Sequence, residues 1–430
     1  ASHVAAVEDV HPDLILNIDH LRSEQGDAFP KNVPFVSWLQ DLLPNLTCEE
    51  AGRSIGPTDF YIAAGITELV RRYRYPASQG LAWTMATNEA VYCSELVPEE
   101  GLTAHRCDFS YVSNQTEPPH RFHERWLETV RDLRGGARLI EYVYAALCES
   151  WEHDPRNACS RPAMALLAEA TRATGIPATT PDNEDQIARR YIHGLTELLF
   201  RQRTLEWVAD YCDRTGRTLK LYGRGWESHP RFARYACGVA ANGDELRAIY
   251  QASRINLQIT SYGAMHQRLL DGLASGGFFL LRFCRHDVID KPARRLLAAV
   301  ERDGLEPDTP YRTDAMPHVV DALEQLPEMF ARERRPGCLV LPRAELDRYR
   351  EHAATGFRRV AAAVFDCYRD IAFGTAEEFE RLADRYLAGA EDRGCLAASM
   401  REVVLQKYTY GALVDALLAF VTERLTAQGV

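Results

Sequence analysis

A chain of 430 residues is too long for one ordinary core and suits two domains of roughly 100 to 200 residues each, which implies a cleft. Its 46% hydrophobic and 26% charged content is that of a folding globular protein; a net charge of -11 with no dense Lys/Arg run excludes a broad nucleic-acid surface, so any bound phosphate belongs to a small ligand. The 11 cysteines form no CxxC pair, no apolar run approaches the roughly 18 residues of a bilayer span, and the first 15 residues lack a signal peptide's basic and apolar regions, so free thiols and a cytoplasmic location are expected.

In chain order, LILNI, PFVSWL, DFYIAA and LAWTM between Asp13 and Thr84 are apolar runs bounded by Pro, Gly and Asp, with ITELVRRYRY as a helix among them. This is the pattern of buried strands in a parallel, Rossmann-like sheet. DFSYVSN, from Asp108, predicts another strand, followed by a long helical region from His123 to Asp213 broken near Pro155 and Pro181. From Thr218 to Leu281, TLKLYG, INLQIT and GFFLLRF alternate as strands with the helices DELRAIYQAS and AMHQRLLDGLAS, a doubly wound α/β order. His286 to Arg358, charged and Pro-punctuated, is expected to add helices and loops that decorate this second domain. Beyond Ile371, Thr375 with Glu378 predicts a capping box, and a last helix runs from about Tyr410 to Thr426.

Within SYGAMHQRLLDGLASGGFF, Ser261 to Phe279, Gly263 permits a tight turn directly before a helix whose N-terminus suits a diphosphate. Ala264, Arg268, Asp271 and Ser275 fall at helical spacing on one face, so Arg268 and Asp271 are expected to look toward the same space, while Leu269, Leu270 and Leu273 pack inward. The competing reading is a surface Arg–Asp ion pair.

The run from Cys237 to Leu281 resembles the C-terminal nucleotide-sugar-binding domain of GT-B-fold glycosyltransferases, with the nearest likeness to the CgeB-like group within the glycosyl transferase 1 families; Gly263, Arg268, Asp271 and the Gly276–Gly277 pair match its donor-site pattern. LYGRGWE at Leu221, CDFSYVSNQTEPPHR at Cys107 and the tail from Phe373 are also similar to that group, so the likeness covers about three quarters of the chain. It implies two Rossmann-like domains with large helical insertions: residues 1–105 on the acceptor side, 106–408 for the nucleotide sugar, and 409–430 as a helix crossing back. The implied activity is metal-independent transfer of a sugar from a nucleotide-diphosphate sugar to an acceptor hydroxyl, with that nucleotide sugar as co-substrate and no further cofactor. The absence of any Asp-x-Asp speaks against the metal-dependent GT-A type.

The same resemblance assigns Asp271 to the ribose, and Arg268, Arg121 and Arg224 to the diphosphate. Gly238 and Val239 are assigned to the base pocket, and Tyr262 and His266 to the flanks of the phosphate turn. Arg224 in a tight Gly-Arg-Gly turn, Gly238 and Val239 in packing, and His266 as a structural histidine are the alternatives. On the acceptor side, Asp19, His20 and Asp41 sit at predicted strand ends, where α/β folds bind ligands, and are the candidates for the general base that inverting transfer needs, with Asp41, His20 and Arg268 as the catalytic set; Asp41 is alternatively a helix N-cap. Only about 105 residues precede the strand at Asp108, so the first domain is expected to be shortened, either because strands lie upstream or because helices replace them. An epimerase or hydrolase of similar fold, and a non-catalytic nucleotide-binding scaffold, are the other functions weighed.

Overall fold

A computed structural model of the chain describes residues 10–26, 28–41, 43–115, 117–177, 181–327, 334–335 and 337–428. Four short strands, β1 (Ile15–Ile18), β2 (Phe35–Leu39), β3 (Asp59–Ala63) and β4 (Gly80–Ala82), form a parallel sheet in that order. Every residue of β2 and β3 is buried, which is why PFVSWL and DFYIAA are continuous apolar runs rather than alternating ones: both faces are covered. One face packs on the helix Ile66–Tyr73 through Leu69 and Tyr73. The other is covered by the terminal helix Tyr410–Gln428, whose Leu413, Leu417 and Val421 meet Val36, Trp38, Phe60 and Ile62. Tyr410 and Phe420 of that helix stand edge-on to Trp38 and Phe60, with centroids 6.1 and 6.0 Å apart. A buried Arg22–Asp59 pair at 2.6 Å locks the loop after β1 to the start of β3, with Arg22 also donating to the Val33 carbonyl.

The second sheet uses β5 (Cys107–Val112), β6 (Leu219–Tyr222), β7 (Ser253–Gln258), β8 (Phe279–Arg282) and, after a small antiparallel sheet of β9 (Pro310–Arg312), β10 (Arg334–Arg335) and β11 (Cys338–Val340), the closing strand β12 (Ala372–Phe373). Its order is β12-β8-β7-β5-β6, all parallel. The connections therefore leave in opposite directions from β5 and β7, and the crevice at their carboxyl ends is where such sheets bind ligands. Between β5 and β6 lie the helices Pro119–Thr129, Gly136–His153, Ala163–Thr174 and the long helix His193–Thr215, preceded by a π-helical stretch at Ile187–Ile192. They share one core with the sheet. Their anchor is Arg282, buried at the end of β8: its guanidinium lies 4.9 to 5.8 Å from the rings of Phe200, Trp207 and Trp151 and donates to Thr204 Oγ1 and to the Phe283, Phe373 and Pro155 carbonyls. Burial pulls its pKa down to about 10.

Two expectations are corrected. The stretch after His286 does not merely decorate the second domain; it builds its own core, in which Ile289, Ala293, Leu296 and Val300, at helical spacing along Asp290–Arg302, pack on Val319, Leu346, Tyr349 and Phe357. Its high charge concealed the apolar stripes of short amphipathic helices. The capping box is half formed: Thr375 Oγ1 accepts the Glu378 N–H, but the Glu378 carboxylate accepts from Gly374 and pairs with Arg156 rather than turning to the cap residue.

The contact between terminal helix and first sheet sets a stability prediction. Leu417→Ala is expected to cost about 2–4 kcal/mol by removing buried methyl groups between two rigid elements, read as a lower urea midpoint; an unchanged midpoint would detach the helix from the sheet.

Candidate active site

At the carboxyl end of β7 the backbone turns sharply through Ser261–Ala264, and two carboxylates from elsewhere hold the turn. Glu197, on the long helix, accepts from the Ser261 N–H at 2.9 Å and its hydroxyl at 2.6 Å. Asp287, on the loop after β8, accepts from the Ala264 N–H at 2.8 Å and from the Tyr368 hydroxyl at 3.3 Å. Gly263 has a φ of 113°, a conformation that favours glycine, and a Cβ there would press on Asp287 Oδ1 at 3.2 Å. Asp287 is fully buried, and burial pushes its pKa up to about 7.

The helix begins at Gln267, three residues beyond the predicted start, because the turn must first satisfy these anchors. Ser261 and Ala264 therefore have no N–H to offer a phosphate. The N–H groups of Met265, His266 and Gln267, by contrast, have no acceptor among the described residues. His266 is the N-cap: its Nδ1 accepts the Arg268 N–H at 3.3 Å, which leaves its proton on Nε2. Burial first, then the charges of Arg268 and Arg201, lower its pKa to about 3, so it is neutral.

Arg268 lies over the Tyr111 ring at 5.1 Å and donates to Gln258 Oε1 at 3.3 Å; no carboxylate lies within ion-pair distance of it among the described residues. Beside it is Arg201, a residue that sequence reasoning missed. It donates to the Asn114 carbonyl at 2.7 Å and to Glu197 at 2.9 Å. Two half-buried guanidiniums thus stand at the carboxyl ends of β5 and β7, next to three unpaired N–H groups. Glu197 and Arg201 form an i, i+4 pair in an amphipathic helix, a pattern that in sequence is indistinguishable from a surface ion pair; Asp287 carried no signal at all.

Asp271 does not share the space of Arg268. It is 5% exposed, and its Oδ1 accepts from Gln267 Nε2 and from Thr87 Oγ1, each at 2.7 Å. The i, i+3 relation still separates the two directions by about 60° around the helix, enough to turn Asp271 toward the segment that joins the two sheets. There Thr87 also pairs with the returning chain, its N–H donating to Tyr408 and its carbonyl accepting from Tyr410. Burial raises the Asp271 pKa to about 6. Gly277 follows the helix, and a Cβ there would lie 2.9 Å from Asn256 Nδ2 of β7, so its bare backbone allows close packing on that strand.

The remaining residues are more dispersed. The Gly223-Arg224-Gly225 turn is clasped to the loop after β5: Cβ atoms at Gly223 and Gly225 would fall 2.3 and 1.9 Å from the Ser113 and Gln115 carbonyl oxygens, the Arg224 N–H donates to Asn114 Oδ1, and Trp226 Nε1 donates to Ser113. The Arg224 side chain is exposed. Arg121 is exposed and faces Glu124 at 3.5 Å. Gly238 accepts the Gly223 N–H, and Val239 and Tyr262 are exposed, the Tyr262 hydroxyl meeting His193. Asp19 and Asp41 end β1 and β2; Asp19, at a φ of 56°, accepts the Gln40 and Asp41 N–H groups, and the Asp41 carboxylate is exposed and outside any helix, so it is no N-cap. His20 is exposed beside Glu24. Among the described residues no group of three or more His, Cys, Asp or Glu side chains could hold a metal ion, and no helix is long and apolar enough to cross a membrane.

Residues 201–283, which run from Arg201 to the end of β8, match a family model described as glycosyl transferase-like. No curated protein matches the chain. Among solved structures the chain is similar to a glycosyltransferase from Rickettsia africae, at 10% identity over 98% of this chain and 79% of that one with a TM-score of 0.37. It is also similar to Anabaena Alr3699/HepE in complex with UDP and glucose, at 9% identity over 98% and 81% with a TM-score of 0.37.

The buried acid behind the turn has a measurable signature. Because the folded pKa of Asp287 is raised, its contribution to stability is complete below about pH 4 and lost as pH rises through about 7. Relative to Asp287→Asn, the wild-type chain is expected to lose on the order of 2–4 kcal/mol between about pH 4 and pH 8, measured by urea unfolding at fixed ionic strength. Parallel profiles would contradict a buried, protonated Asp287.

Proposed function

We propose that the chain is a glycosyltransferase that uses a nucleotide-diphosphate sugar. The observation behind this reading is the convergence of Arg268, Arg201 and the unpaired N–H groups of Met265, His266 and Gln267 at the switch point of a parallel sheet, inside the segment that is glycosyl transferase-like. The donor diphosphate lies against that backbone. As the glycosidic bond to phosphate breaks, negative charge grows on the leaving diphosphate, and Arg268, already desolvated and without a carboxylate partner, stabilises it without reorganising. Arg201, held by Asn114 and Glu197, supplies a second fixed positive charge. Two guanidiniums meet the diphosphate charge, so the mechanism calls for no divalent cation. Neutral His266 offers its Nε2–H as a donor to a phosphate or donor-sugar oxygen.

On the acceptor side, Asp41 is the carboxylate we assign to the acceptor hydroxyl, being exposed and unpaired at a strand end. Asp271 is assigned to the junction between the sheets rather than to the ribose, because the carboxyl is nearly buried and its Oδ1 is already shared by Thr87 and Gln267. The affiliation with the CgeB-like group stays part of this proposal.

Titration of the chain with UDP-, GDP- and dTDP-linked sugars, followed by thermal unfolding, is expected to single out one donor that raises the melting temperature. Arg268→Ala should weaken that donor at least tenfold, about 1.4 kcal/mol, whereas Arg121→Ala, on an exposed helix face, should leave it unchanged. Failure of every donor to protect would end the transferase reading; equal losses in both variants would refute the placement of the diphosphate.

A further inference from the structure

The core that begins at Ile289 reaches back to the first sheet through the helix Arg343–Ala354 and through Arg358 and Arg359 beyond it. Arg348, Glu351 and His352 lie three and four residues apart and so share one face of it. Glu351 is fully occupied: its carboxylate accepts from the Ile66 and Thr67 N–H groups at 2.7 and 2.9 Å and from the Thr67 hydroxyl, capping the helix that follows β3. Arg359 donates to the Ala64 carbonyl at 2.6 Å, and Glu68, on the capped helix, pairs with Arg189 of the π-helical stretch at 2.6 Å. With both carboxylates so engaged, Arg348 has no hydrogen-bond or ion-pair partner among the described residues, although Glu68 and Glu351 are near enough to act on its charge.

Opposite stands the loop after β8. His286 Nδ1 lies 3.4 Å from the Cys284 thiol, which donates to the Ser261 carbonyl in the donor turn. Burial and the charges of Arg348 and Arg359 pull the pKa of His286 down to about 4, and the same causes pull His352 down to about 3. Neither histidine is charged at neutral pH, so neither competes with the guanidiniums for an anion; their lowered basicity comes first from burial and then from the neighbouring guanidinium charges. Arg348 thus shares a helix face with the Glu351 that docks on the start of the helix after β3, whereas Arg268 and Arg201, assigned above to the donor diphosphate, are held at the carboxyl ends of β7 and β5.

We propose that Arg348, supported by Arg359, binds an anionic group, phosphate or carboxylate, carried by the acceptor. The proposal rests on the transferase reading for the word acceptor, but the anion site itself does not. An arginine with a free fork suits a bidentate oxyanion, and seating one there would relieve the repulsion between Arg348 and Arg359.

The test titrates glucose 6-phosphate, glucuronate and neutral glucose into the full chain, with and without saturating UDP, and reads thermal protection. Protection by one anionic probe and none by glucose is expected, and the effective probe tells phosphate from carboxylate. Arg348→Met should weaken that probe at least tenfold while leaving UDP affinity within about twofold; Arg348→Lys, which keeps the charge without the fork, should retain part of the binding and guards against a folding defect. No protection by either anion, or unaltered binding in Arg348→Met, overturns the proposal. A loss of UDP affinity in Arg348→Met comparable to that in Arg268→Ala also overturns it, by moving Arg348 to the diphosphate. If UDP fails to bind the wild-type chain, the nucleotide-free titrations still decide the anion site while the UDP-dependent reading falls by itself.

Discussion

The candidate site depends on two carboxylates that satisfy the backbone of one turn. A turn at the end of a parallel strand exposes several N–H groups, and a buried N–H without a partner costs roughly 1–3 kcal/mol. Glu197 and Asp287 remove that cost at Ser261 and Ala264, and in doing so they leave other donors over, among them those of Met265, His266 and Gln267 at the helix start. The choice is made from two sides. Glu197 comes from the long helix of the insertion between β5 and β6, Asp287 from the loop after β8, so neither the insertion nor the last crossover can shift without disturbing the turn. Glu197 also orients Arg201, which couples the shape of the turn to the position of a cation.

A second constraint lies where the chain passes between the two sheets. It crosses twice, near Thr87 and near Tyr408–Tyr410, and the two crossings hydrogen-bond to each other. Asp271 ties this junction to the helix that carries Arg268, through a bond in which a nearly buried carboxyl accepts from Thr87. Both chain crossings between the sheets meet at this point, and it lies one helical turn from the cation assigned to the leaving group. Because burial raises the Asp271 pKa to about 6, its hold on the junction responds to pH in a range where an ordinary carboxylate stays ionised.

The alternating elements were legible because parallel strands buried on both faces leave continuous apolar runs, and both PFVSWL and GFFLLRF do so. Glycines were legible where a Cβ is impossible, at Gly223 and Gly225, or where the backbone takes a positive φ before a helix, at Gly263. Direction was not. The spacing of Arg268 and Asp271 places them on neighbouring lines of a helix, and only the packing of Thr87 shows that one of them turns inward. Arg201 and Asp287 were invisible for a different reason: each acts on a turn that is remote in sequence, and an i, i+4 Glu–Arg pair or a single Asp after a strand has no local pattern that separates a tertiary anchor from a solvated charge.

The same distinction bears on what sets specificity. The doubly wound frame supplies a switch point, and a frame of this kind serves many chemistries. The groups that individualise this cleft come from elements outside the alternation: Glu197 and Arg201 from the helical insertion, and Arg348, Glu351 and Arg359 from the core built after β8. Glu351 is the structural price of this arrangement. By capping a helix beside the first sheet with a carboxylate from 285 residues away, it brings the face that carries Arg348 toward that sheet and takes up the hydrogen-bonding capacity that would otherwise pair with it. A free guanidinium at that place is thus a consequence of how the accessory core docks, and the docking depends on an interaction that a helix N-terminus accepts from any well-placed carboxylate.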